Sequence, residues 1–239
     1  MLIGFMAQLV DGALGMAYGQ ISSTLLISMG VPPAAASAGV HTAETFTTAV
    51  SGISHTAHRN VDWRLFLRLV IPGVIGGVLG AYVLTAVDAS VAKPFVLTYL
   101  AALGLYLFYR GVMHRHTERQ PRIVSPLGLV GGFLDAAGGG GWGGIVTSNL
   151  LVQGSNPRRT IGTVNTAEFF VTLTISATFV TTLGWEAFTM ATVGLLIGGV
   201  AAAPFGAWIA KRVNADRLLT FVGALLTVVS GYGLYRALA

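Results

Sequence analysis

The sequence predicts an all-α integral membrane protein of two inverted repeats, each a re-entrant helical hairpin followed by three transmembrane helices. Three observations carry that expectation. Of the 239 residues, 54% are hydrophobic and 10% charged, against roughly 25% charged in a soluble domain. Apolar stretches of about 20–25 residues recur along the chain, each able to cross a hydrocarbon core some 30 Å thick. The second half of the chain also repeats the first.

The repeat is legible residue by residue. At an offset of 124, Asp11 falls on Asp135, Gly15 on Gly139, Tyr18 on Trp142, Gly19 on Gly143, Gly30 on Gly154 and Pro33 on Pro157. "HTAETF" (41–46) overlays "NTAEFF" (165–170), which pairs His41 with Asn165 and Glu44 with Glu168. Further on the offset becomes 126, and "GAYVLTAVDAS" from Gly80 meets "GAWIAKRVNAD" from Gly206. A first repeat over 1–117, a cytoplasmic linker over 118–125 at the polar run, and a second repeat over 126–239 follow.

Each repeat opens with a hairpin, 2–29 and 126–153. Glycine in a helix interior costs about 1 kcal/mol relative to alanine, so "GGFLDAAGGGGWGG" (131–144) should break its own helix. The whole segment 126–153 is only about 42 Å long as one helix, too short to cross the bilayer twice. Two half-helices meeting near the midplane resolve the conflict, because non-helical backbone at that depth survives inside protein or around a wet cavity. A helix following a proline comes next, 34–57 and 158–182. Two further helices complete each repeat, 65–87 with 91–113 and 187–210 with 215–238.

Charge decides between parallel and inverted repeats. If every segment crosses, Lys and Arg distribute almost evenly between the two sides. If each hairpin enters and leaves by one face, twelve of the 14 fall on one side, leaving Lys93 and Arg236 on the other. That asymmetry is what the positive-inside rule expects, and matched loops carry opposite bias, as inversion requires. Both termini are then expected outside, in a multi-pass membrane protein. The first residues lack a basic n-region, so no cleavable leader is expected.

Composition also excludes. There are no cysteines, hence no disulfide, thiolate catalysis or cysteine-bound metal. The net charge of +5 reads as topology rather than nucleic-acid binding. The run 138–143 fits G-x-G-x-x-G but no βαβ unit surrounds it, and no Walker lysine follows a glycine loop. His55 and His58 read as solvated rather than metal-binding. No cofactor and no metal are expected.

Inversion would bring the N-terminal ends of two half-helices together from opposite directions. Such ends carry unpaired N–H groups and a positive dipole, which suits an anion. The candidate substrate contacts are Gly15, Tyr18, Gly19, Ser22, Ser23 and His41 in the first half, with Gly139, Gly140, Gly141, Trp142, Thr147, Ser148 and Asn165 in the second. Alternatively the hydroxyls join packed helices, and Tyr18 and Trp142 fill space or gate the cavity. Glu44 and Glu168 carry a proton, hold the hairpin turns by accepting loose amides, or bind an ion directly. Asp11 and Asp135 are read as hairpin support through the glycine amides. Arg158 and Arg159 read as a topology anchor or a collector of anions.

"GFLDAAGGGGWGG", "HTAETF" with "NTAEFF", "RNVDWRLF" (59–66) and the twofold repeat together resemble the TauE/SafE sulfite exporter family, across essentially the whole chain. The resemblance implies a membrane transporter that moves sulfite, sulfonates or related sulfur-containing anions and is not an enzyme. Its partners would be a small inorganic or organosulfur anion and the lipid bilayer, with no nucleic acid. "GALGMAYG" replaces a full glycine run in the first half, and His41 stands where Asn165 does in the second. The rival readings are a membrane-embedded enzyme acting on a lipid or small headgroup, and a subunit of a larger membrane complex.

Overall fold

The computed structural model describes residues 1–14, 16–113, 120–185, 190–210 and 215–238. Gly15 and the arginines at 115, 119 and 212, with Lys211, lie outside the described residues. The described chain is helical throughout. In order come α1 (Leu2–Leu14), α2 (Tyr18–Ser28), α3 (Pro33–Ala57), α4 (Trp63–Ala86) and α5 (Ala89–Val112). They are followed by α6 (Ser125–Gly138), a π-helical turn (Gly143–Thr147), α7 (Ser148–Val152), α8 (Pro157–Leu183), α9 (Met190–Ala210) and α10 (Ala215–Leu238).

Local chemistry explains where the helices start. Asp62 caps α4, its Oδ1 accepting from the amides of Arg64 at 3.0 Å and Leu65 at 3.1 Å. Asn156 caps α8 by accepting from the Arg159 amide at 3.2 Å. Pro157 follows at the first helical position, where its missing N–H would have had no partner anyway.

Two classes of helix result. Trp63–Ala86, Ala89–Val112 and Arg159–Leu183 are each long and apolar enough to span a bilayer, and Leu2–Asp11, Thr192–Ala202 and Thr220–Tyr235 are shorter apolar stretches. On α4 the apolar pattern is turned outward: Leu67, Ile71, Ile75 and Leu79 are exposed along one stripe, while Leu69, Gly73, Gly76 and Gly80 are buried on the other. That distribution suits a helix whose outer face meets lipid. By contrast, α1, α2 and α6 have 13, 11 and 14 residues, so none is longer than about 21 Å. Each falls short of the hydrocarbon thickness.

The helices pack in an exchange pattern. α4 lies on α6 as α9 lies on α1, while α3 packs on α8 and α5 on α10. Small residues make these contacts close. A Cβ on Gly76 would sit 2.0 Å from the Leu129 carbonyl oxygen, and one on Gly80 would sit 2.3 Å from that of Phe133. In the corresponding contact, a Cβ on Gly198 would sit 2.0 Å from the Met1 carbonyl oxygen. With lipid outside as apolar as leucine, such backbone-to-backbone packing is what holds membrane helices together.

Gly76→Ala should therefore destabilise the protein by about 1–3 kcal/mol through overpacking. Gly231→Ala on α10, where nothing lies within 4 Å of the new methyl, should be neutral or stabilising by up to about 1 kcal/mol. Thermal unfolding in detergent, followed by tryptophan fluorescence, checks both.

Candidate functional site

Residues 126–153 do not run as a continuous rod. α6 ends at Gly138, and Gly139 (φ 72°) and Gly140 (φ 139°) then turn the chain through a region that glycine enters without steric penalty. The Gly140 amide still reaches back to the Asp135 carbonyl at 2.8 Å. The Trp142 amide donates to Asp135 Oδ1 at 2.9 Å, and its indole N–H donates to the Val164 carbonyl at 3.2 Å. The π-helical turn begins immediately after.

The first break uses the same parts. Ala17 takes φ 99° just before α2, an unfavourable conformation for a residue with a Cβ. The Tyr18 amide donates to Asp11 Oδ1 at 3.4 Å, and the Tyr18 hydroxyl donates to the Leu195 carbonyl at 3.1 Å. Thus each acid holds the amide of the aromatic seven residues on, where sequence reasoning expected the glycine amides. At the second break Gly139 and Gly140 form the turn itself, and at both breaks the N–H that reaches the acid belongs to the residue that starts the returning arm.

The two breaks touch. A Cβ on Gly19 would lie 3.0 Å from Gly140 Cα, and one on Gly140 would lie 2.4 Å from the Gly19 carbonyl carbon. Ser23 Oγ donates to the Gly139 carbonyl, and the Tyr99 hydroxyl donates to the Gly140 carbonyl at 3.3 Å. Glu44 Oε1 lies against Gly19, so close that a Cβ there would stand 3.0 Å away. Glu44 Oε2 is buried with no hydrogen-bond partner.

His41, fully buried, ties α3 to this turn. Its Nδ1 is 2.7 Å from the Ser37 carbonyl oxygen, which can only accept, so Nδ1 carries a hydrogen. Its Nε2 is 3.1 Å from Asp135 Oδ2. A hydrogen bond there needs one proton between imidazole and carboxyl, and the pair is net neutral whichever partner holds it. Asp135 thus uses one oxygen on the Trp142 amide and the other on His41. Glu168 lies within electrostatic reach of Glu44, Asp11 and Asp135. No lysine or arginine is among the described buried residues. Nor does any group of three or more His, Asp or Glu among the described residues form a metal-holding cluster.

The structure gathers Tyr18, Gly19, Ser23, His41, Glu44, Asp135, Gly139, Gly140, Gly141 and Trp142 about one contact. Other candidates stand apart in their bonding. Ser22 Oγ and Thr147 Oγ1 are buried without hydrogen-bond partners. Ser148 Oγ lies 3.8 Å from Met16 Sδ. Asn165 is buried on α8, and no hydrogen bond joins it to Asp11 as His41 is joined to Asp135. Two residues that sequence reasoning passed over complete the second turn. Ser37 Oγ donates to the Ala136 carbonyl at 2.8 Å, and the Tyr99 ring covers Gly138 and Gly141. Ser37 stands one helical turn before His41, which was the available signal; Tyr99 is one of three tyrosines on α5, and no sequence signal sets it apart from Tyr106 and Tyr109.

Broken helices whose turns meet in a buried polar layer, inside a bundle with an apolar exterior, are an arrangement found in multi-pass membrane transporters. The chain belongs to the sulfite exporter TauE/SafE family, whose pattern matches residues 1–233. It is similar to the "Probable membrane transporter protein YtnM" of Bacillus subtilis (strain 168), with 42% identity over 237 residues, covering 95% of this chain and 79% of that protein. No solved structure matches it. As a transporter it moves a small solute and is not an enzyme.

Removing Asp135 tests the site's framework. Asp135→Ala, which strips both the Trp142 amide and His41 of a partner, should cost about 3–5 kcal/mol. Asp135→Asn keeps an acceptor for Trp142 and should cost about 1–3 kcal/mol. The ranking is read from thermal unfolding of the purified protein.

Proposed function

We propose that this transporter exports sulfite, a sulfonate or a related sulfur-containing anion across a prokaryotic inner or plasma membrane, through a site between two re-entrant hairpins. The reading rests above all on one observation, the contact of Gly19 with Gly140. Two helix breaks with opposite parentage converge there, beside hydroxyls and amides and away from any described buried cation. Further support comes from the exchange pattern of helix contacts, which suits two repeats, 1–117 and 126–239, around a pseudo-twofold axis. In this reading the axis lies in the membrane plane, the 118–125 linker is cytoplasmic and both termini are outside.

The mechanism follows from what already occupies the amides. Tyr18 N–H holds Asp11, Trp142 N–H holds Asp135, and Glu44 Oε1 lies against Gly19. Each carboxylate sits where an oxyanion would sit, so the closed site is satisfied by the protein's own anions. An arriving substrate oxyanion takes over amides at the start of the second arms, with Ser22, Ser23, Thr147 and Ser148 as hydroxyl donors and Asn165 and His41 at the flanks. A carboxylate displaced from its donors and left buried carries a heavy desolvation penalty, and uptake of a proton removes it. Glu44, with one oxygen already unpartnered, and Glu168, facing three other acids, are the proton carriers in this scheme. Tyr18 and Trp142, both sealed from solvent, close the cavity over the bound anion. Export needs no second ion, since an inside-negative potential drives an anion out by about 2.3 kcal/mol per charge per 100 mV.

Counterflow of radiolabelled sulfite, thiosulfate, sulfate and small sulfonates in proteoliposomes should show flux for at least one sulfur oxyanion; a protein inert toward all four defeats the substrate assignment. Glu44→Gln and Glu168→Gln should flatten the pH dependence of that flux. Intact flux with an unchanged pH profile would return both residues to a supporting role. For topology, single cysteines at Arg59 and Arg158 in this cysteine-free chain should react with an impermeant maleimide from the same side.

A further inference from the structure

A second polar site lies away from the helix breaks, where α4 and α8 begin. There an open pocket of about 750 Å³ is lined by Arg64, Arg68, Arg159, Asp62, Ser155 and Thr160 among others. Three guanidiniums share it with one carboxylate. That carboxylate is engaged, since Asp62 Oδ1 accepts the Arg64 and Leu65 amides. No ion pair among the described residues neutralises these three arginines. The pocket also holds two unanswered hydroxyls. Ser155 is 5% and Thr160 1% exposed, and neither side-chain oxygen has a hydrogen-bond partner. Buried polar atoms are normally satisfied, so two such hydroxyls lining one basic pocket, Ser155 just before α8 and Thr160 in its first turn, point to a missing acceptor.

The walls are fixed in advance. Gln153 Oε1 accepts from the amides of Arg122 and Ile123, both at 2.9 Å, and its Nε2 donates to the Ile123 carbonyl at 3.1 Å. Arg68 reaches the Arg122 carbonyl at 3.4 Å. The segment before α6 is thereby clamped against the end of α7, beside the arginines. The pocket also lies at a recognisable level. Trp63, exposed at the start of α4, heads the outward stripe of Leu67 and Ile71, and tryptophans in that setting sit at the headgroup layer.

We propose that this pocket binds a phosphoryl or sulfuryl oxyanion, with Arg64, Arg68 and Arg159 supplying charge and the Ser155 and Thr160 hydroxyls donating to its oxygens. Its level in the membrane favours the phosphate of an anionic lipid headgroup, and a free oxyanion offers the same chemistry. Occupancy does not depend on which solute crosses at the helix breaks.

Native mass spectrometry of the purified protein with dioleoyl-phosphatidylglycerol or dioleoyl-phosphatidylcholine, together with thermal-shift titration by inorganic phosphate and sulfate, tests the site. The wild type should retain phosphatidylglycerol in preference to phosphatidylcholine, or be stabilised by one of the free anions. The double variant Arg68→Gln/Arg159→Gln should bind the same probe at least about tenfold more weakly, since each lost contact is charge-assisted. Thr160→Val, which keeps the shape and removes the hydroxyl, should weaken binding less. Retention of phosphatidylglycerol that neither free anion displaces identifies a headgroup; displacement by phosphate or sulfate, with the same loss in the double variant, identifies a soluble oxyanion. If the double variant fails to fold, Arg64→Gln with Ser155→Ala carries the same test. Absence of both the lipid preference and the anion stabilisation in the wild type, or undiminished binding in a folded variant, overturns the site.

Discussion

Asp135 closes a gap in the backbone that the bilayer would otherwise forbid. Where the chain breaks after α6, the amides that start the returning arm have no helical carbonyl to reach, and a buried amide left unmet costs several kcal/mol. One oxygen of Asp135 takes the Trp142 amide, and the other is held by His41. His41 in turn is set by the Ser37 carbonyl one helical turn earlier. The arrangement runs from α3 through one carboxyl to the start of the returning arm, and it lets Gly139 and Gly140 adopt positive φ in a buried setting. Asp11 does the same for Tyr18 at the other break, over a longer hydrogen bond and with no histidine behind it.

The two breaks are therefore alike in plan and unequal in support. The second turn is held by Ser23, Ser37, His41 and Tyr99. The positions that answer to them at the repeat offsets are Thr147, Ile161, Asn165 and Leu225. Two of those four are hydrocarbon, and Thr147 has no hydrogen-bond partner for its hydroxyl. In the proposed two-repeat reading, the first repeat's residues pin the second hairpin, while the reverse set pins much less. A scaffold of this kind favours movement of one hairpin against a better-anchored partner.

Much of this was legible in the chain, for physical reasons. A composition with few charges and long apolar stretches has one comfortable solvent, so the helical membrane class followed directly. The family resemblance rested on the glycine run and its flanking motifs. Glycine-dense turns, aromatics beside them and acids ahead of them stand close in sequence, which marked Asp135 and Trp142 separately without pairing them. The contacts that complete the site were harder to see. His41 and Asp135 are separated by 94 positions, and Ser37 and Tyr99 have no polar counterpart at the repeat offset. Which amide an acid would reach depended on the path of the turn, hence the expectation of glycine amides and the finding of aromatic ones. The pocket of Arg64, Arg68 and Arg159 needed tertiary structure, because α4 and α8 begin about 95 residues apart in the chain.

One element carries a different consequence. The arm after the second break starts as a π-helical turn over Gly143–Thr147, whereas the arm after the first is α-helical from Tyr18 to Ser28. Such turns hold a residue more than regular winding requires. Letting that surplus slip past would swing the following side chains by about 100° around the axis, with Trp142 still moored to Asp135. Thr147, Ser148 and Asn149 would exchange the faces they present, without breaking the chain's anchor. The returning arm is thus built like a screw thread with one loose winding, and its slack lies beside the place where the two halves meet.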